Sequence, residues 1–117
     1  MSITSQQEPA RSQGDPILEE LVRRLVAAYE PEWIYLFGSR ARDETKADSD
    51  YDLLVVVTDD APAHRRRSRL GYEALRGTGV AVDVVVQTCE GFVARLELKA
   101  SLPAAVVAEG RLVYAAR

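Results

Sequence analysis

Two aspartates, Asp50 and Asp52, straddle Tyr51 immediately before an apolar run, in "SDYDLLVVV". Residues two apart in an extended strand project from one face, so both carboxylates point one way and Tyr51 the other. Like charges that close repel, and one pKa rises unless a cation sits between them. A hard divalent ion with carboxylate ligands relieves the repulsion, and magnesium keeps waters and substrate phosphates as its remaining ligands. The same spacing also arises where a strand start is punctuated by solvated aspartates.

Asp83 adds a third carboxylate. It lies within "VAVDVVV", residues 80–86, whose apolar flanks predict a central strand. A carboxylate buried there needs a cation or strong donors, because an unpaired one is costly; a buried ion pair with an arginine is the alternative. Three carboxylates on neighbouring strands are what a site for two metal ions requires. Gly38-Ser39 supplies a complementary feature at the end of the preceding apolar run, "WIYLF". Glycine lets the main chain approach a phosphate closely, and Ser39 would cap a short helix begun by "SRARDE", presenting an N–H and a hydroxyl to phosphate oxygens. A lone Gly-Ser is also an ordinary turn. Arg40 and Arg42 would assist the phosphates or stay solvated, with Arg42 reading rather as a partner for an acidic group.

The elements that must position these groups alternate between helix and strand. Residues 1–14 are polar and aperiodic, a tail ahead of one domain spanning 15–117. Asp15 followed by Pro16 is a helix start. Ile17, Leu18, Leu21, Val22, Leu25 and Val26 then recur at helical spacing, predicting an amphipathic helix that ends near Tyr29, with Pro31 just beyond. Strands are predicted over 33–37, 51–57 and 80–86, with a last one near 111–116. A helix is predicted over 63–77, closed by Gly77 although Gly71 interrupts its pattern, and a helical segment over 90–110 is broken at Pro103. This order predicts an α/β (α+β) fold, a small mixed β-sheet flanked by helices. Only twelve residues, 38 to 49, separate the first two strands. Antiparallel pairing is therefore easier than a crossover, and it brings Gly38-Ser39 and the aspartates to one sheet edge.

Gly38-Ser39, ten residues, then Asp50-Tyr51-Asp52, with a carboxylate on a later strand, resembles the signature of the polymerase-β-like nucleotidyltransferases. "GSRAR" and "SDYDLLV" are similar to the minimal nucleotidyltransferase (MNT) domains, which include the kanamycin nucleotidyltransferase-like group and the antitoxin half of HEPN/MNT toxin–antitoxin pairs. The resemblance covers Trp33 to Val86 and departs at Asp43, where many relatives carry glycine. It implies the polymerase-β-like fold, two Mg2+ ions and ATP as nucleotide donor. Gly38, Ser39 and Arg40 would bind the triphosphate; Asp50 and Asp52 would ligate both metals. Asp83 would ligate the catalytic metal and help activate an acceptor hydroxyl. The implied reaction is in-line attack on the α-phosphorus with pyrophosphate leaving.

Bulk properties narrow the partners. With 117 residues, 47% of them hydrophobic and 28% charged, the chain suits one globular domain. A net charge of −3 argues against direct nucleic-acid binding by the molecule as a whole. The single cysteine, Cys89, excludes an internal disulfide. No apolar stretch has the length of a membrane span and no signal peptide precedes the domain, so a cytoplasmic address is expected. His64 and Arg65–Arg67 read as a solvated basic face, Trp33 and Tyr35 as packing residues, and Tyr51 as core or interface. Little chain follows the third strand to build an acceptor pocket. The expected acceptor is therefore another macromolecule, and the resemblance points to a tyrosine hydroxyl of a co-encoded HEPN-family toxin. The alternatives are an antitoxin that acts by binding alone, and an aminoglycoside-type small-molecule site completed by a second copy in a homo-oligomer.

Overall fold

The structure, a computed structural model, describes residues 15–38 and 50–116. The expectations for the 1–14 tail and for Ser39, Arg40, Arg42 and Asp43 lie outside the described residues. Helix α1 spans Pro16–Tyr29 and starts where the sequence signals it: Asp15 Oδ1 accepts the Leu18 N–H at 3.1 Å, and proline occupies the first turn. Leu18, Leu21, Leu25 and Tyr29 form its buried stripe. Glu30 ends it in the left-handed region at φ 48°, returning its N–H to the Val26 carbonyl.

Strands β1 (Trp33–Phe37) and β2 (Tyr51–Val57) pair antiparallel, as their short connection requires. Strand β3 (Val82–Thr88) runs parallel to β2, and β4 (Arg111–Ala115) pairs antiparallel with the other side of β1. The described residues thus form a mixed four-stranded sheet in the order β3-β2-β1-β4. Three further helices complete an α+β fold: α2 (Ser68–Ala74), α3 (Cys89–Ala94) and α4 (Leu102–Glu109).

Alternation along the strands divides the core in two. Ile34, Leu36, Leu53, Val55, Val57 and Val84 meet the α1 stripe on one face. Leu54 and Val56 meet Phe92 of α3 and Val106 of α4 on the other. Full burial of each such aliphatic side chain is worth roughly 1.5–3 kcal/mol, so these two clusters hold the sheet in place. Trp33 and Tyr35 pack on Phe92, with ring centroids 5.8 and 5.5 Å away, consistent with packing rather than base stacking.

Three sequence expectations need correction. The third strand is not central: β3 lies at the edge of the sheet, starts at Val82, and leaves Asp83 exposed. β1 and β2 take the central places because each has strands on both sides. The segment 63–77 is not one helix; a 3-10 turn, Ala63–Arg66, breaks at an extended Arg67 before α2 begins. Pro103 does not break a helix but starts one, in the first turn of α4 behind the capping side chain of Ser101.

Candidate active site

Hydrogen-bond register determines which side chains share the sheet edge. Phe37 is the ladder partner of Asp52, so Gly38 follows directly at the end of β1. Across the other side of β2, Asp52 is the register partner of Asp83 in the parallel β3. Neighbouring partners in a sheet point to the same face. Asp52 and Asp83 therefore stand side by side on the face covered by α3 and α4, at the end where β2 and β3 begin. Asp50, exposed, precedes β2 at that same end.

Burial first, then the charges of Asp83 and Asp50, push the Asp52 carboxyl above its ordinary range. Asp52 thus feels the charge of both other carboxylates, although among the described residues no three His, Cys, Asp or Glu side chains are gathered as a ready-made metal cage. Hard oxygen donors that repel one another are the donor set a divalent ion such as magnesium accepts. Gly38 fits the same purpose. Its φ is +77°, and a Cβ there would run into the Asp52 carboxylate. Only glycine brings the main chain this close to the acidic group.

Two tyrosines tie down the starts of β2 and β3. Tyr51 is 2% exposed, and its hydroxyl lies 3.1 Å from both carboxylate oxygens of Asp15, the cap of α1. The residue between the two aspartates therefore pegs the start of β2 to a helix on the opposite face. Tyr72 of α2 donates from its hydroxyl to Asp83 Oδ1 at 2.8 Å and accepts the Val84 N–H at 3.1 Å. The sequence left Tyr51 as core or interface; it is buried in the core, and the contacts of both tyrosine hydroxyls were not legible there. The basic segment is partly committed elsewhere: Arg65 pairs with Glu30 at 3.0 Å, and Arg66 Nε donates to the Ala61 carbonyl.

The family model for the nucleotidyltransferase domain matches residues 17–112, a span that contains Gly38, Asp50, Asp52 and Asp83. The chain belongs to the nucleotidyltransferase domain family. No curated protein matches this nucleotidyltransferase domain. Among solved structures, one described as a toxin–antitoxin with AMP-PNP aligns at 24% identity over 85% of this chain and 74% of that one, with a TM-score of 0.55. A mutant of the toxin–antitoxin MntA–HpeT aligns at 20% identity over the same shares, with a TM-score of 0.53. A putative nucleotidyltransferase from Sulfolobus solfataricus aligns at 24% identity over 92% of this chain and 94% of that one, with a TM-score of 0.47. The likeness to the toxin–antitoxin structures places the domain in their fold.

Proposed function

We propose that this nucleotidyltransferase domain moves AMP from ATP to a hydroxyl of a partner toxin of the HEPN family, in a magnesium-dependent reaction that silences the toxin. The observation that carries the reading is the convergence of Gly38, Asp50, Asp52 and Asp83 on one sheet edge. ATP is favoured because a structure of similar fold holds AMP-PNP, an adenine nucleotide analogue. The mutant of MntA–HpeT carries two aspartate-to-glutamate replacements two positions apart, the spacing of Asp50 and Asp52.

In this reading Asp50, Asp52 and Asp83 would hold two magnesium ions. When bound, the ions neutralise charge on the triphosphate and make the acceptor hydroxyl more acidic. Gly38, Ser39 and Arg40 would bind the triphosphate and so orient the donor for attack. Asp83, on the outer strand β3 beside Asp52, would help activate the incoming hydroxyl by taking up its proton. The new bond joins that oxygen to the α-phosphorus while the bond to pyrophosphate breaks.

A second reading, neutralisation by binding alone, draws on Val93, Leu98 and Val107, each more than half exposed in the segment that carries α3 and α4. One experiment separates the two. The protein is incubated with α-labelled ATP, magnesium and the product of its neighbouring gene, and the label is followed by intact mass. AMP on a tyrosine of the neighbour supports transfer. A stable complex with no label at saturating ATP supports binding alone, and label on a small molecule only would favour the aminoglycoside-type alternative.

A further inference from the structure

Tyr72 and Asp83 belong to opposite faces of the sheet. Helix α2, which carries Tyr72, packs with α1 against the face that holds Val84. Asp83, one residue earlier in β3, points to the other face beside Asp52. Their contact exists because β3 is the edge strand among the described residues, so the Tyr72 hydroxyl can reach both the Val84 N–H and Asp83 there. Its hydroxyl is held there by the Val84 N–H at 3.1 Å and delivers its own proton to Asp83 Oδ1 at 2.8 Å. Both partners are otherwise exposed, Tyr72 at 45%. The bond is thus not a by-product of burial.

Gly71 makes the reach feasible. A Cβ at position 71 would come within 2.8 Å of Val84 Cγ1 and 3.0 Å of Tyr29 Oη. The missing side chain lets α2 lie close to β3, so that the next residue can reach the strand edge. A solvated aspartate on an edge strand samples several rotamers, whereas a carboxylate that must meet a metal ion with its neighbours has to present one oxygen in one direction. A donor fixed at Oδ1 selects that rotamer and leaves Oδ2 for the ion.

We propose that Tyr72 is a positioning residue for Asp83, holding its carboxylate in the orientation that completes the cation site with Asp50 and Asp52. The proposal rests on the nucleotidyltransferase reading, and its test needs no acceptor. Mn2+ binding to the full chain is measured by electron paramagnetic resonance in the presence of AMP-PNP, for wild type, Tyr72→Phe, Asp83→Asn and the double variant. Groups that hold a ligating side chain typically contribute 10-fold or more to metal affinity, so Tyr72→Phe is expected to weaken Mn2+ binding about 10-fold. Its thermal unfolding temperature should fall only slightly, because the ring remains and a single part-buried main-chain N–H, that of Val84, loses its acceptor. In the Asp83→Asn background the same change should add almost nothing, because the tyrosine acts through that carboxylate.

An equal loss in both backgrounds would make Tyr72 a general structural residue and overturn the proposal. So would wild-type affinity in Tyr72→Phe, or an AMP adduct on Tyr72 after incubation with ATP and magnesium, which would make it an acceptor. Wild-type protein that binds no Mn2+ would overturn the transferase reading itself, and the proposal with it.

Discussion

The carboxylate of Asp52 occupies the space where a side chain at Gly38 would begin. The two residues come from adjacent antiparallel strands, and Gly38 holds a φ of +77° that β-carbon-bearing residues rarely adopt. Close approach and positive φ are thus demanded at a single position. Gly38→Ala must displace Asp52 and also strain the backbone, which costs of order 1–2 kcal/mol. The expected outcome is a modest fall in Tm with at least a 10-fold loss of AMP-PNP affinity. Calorimetric titration of nucleotide in magnesium, beside thermal unfolding, checks both parts. Unchanged affinity would separate Gly38 from the phosphate site.

Asp52 carries a testable pH dependence. Its carboxyl titrates above the ordinary range because of burial and then of Asp83 and Asp50. A folded pKa above the unfolded one means a contribution that favours folding fully below the unfolded pKa and is lost as pH rises through the folded pKa. Near pH ~7 the ionised side chain therefore opposes folding. Without metal, Asp52→Asn should hold or raise Tm at that pH, and the gain should vanish near pH ~3, where the wild-type group is protonated. Nucleotidyl transfer should be lost in Asp52→Asn, and in Asp50→Asn, because an amide is a poor ligand for a hard cation. A large drop in Tm with activity retained would show the aspartates to be structural.

Tyr29 ties α1 to the start of α2. Its hydroxyl donates to the Arg67 carbonyl at 2.5 Å and accepts the Gly71 N–H at 2.7 Å, and burial pushes its pKa up to about 12. Tyr29→Phe leaves two main-chain groups without their partner and should cost about 2 kcal/mol in urea unfolding. Gly71→Ala should cost about 1–3 kcal/mol through the clash with Val84. The two meet at one point, so the double variant should lose less than the sum. Strict additivity would mean that α2 is held independently at the two positions.

Local signals carried much of this protein. Asp15-Pro16 and the Leu18–Leu25 spacing specify α1 through capping and periodicity, which need only neighbours in sequence. The short segment between Phe37 and Asp50 makes β1 and β2 antiparallel, which sets Gly38 beside Asp52. The residue types at 38, 50, 52 and 83 made the family recognisable before any coordinate. Tertiary structure decided what those signals could not. "VAVDVVV" reads alike for an edge or a central strand, because apolar composition reports burial by helices and not the number of strand neighbours; the pairing order placed Asp83 at the open edge. Tyr51 and Tyr72 look like ordinary packing residues in sequence. Their roles come from partners 36 and 11 positions away, brought near only when α1 and α2 dock against the sheet. Gly71, an interruption to a helical pattern, becomes intelligible once Val84 and Tyr29 are seen to fill the space a side chain would need.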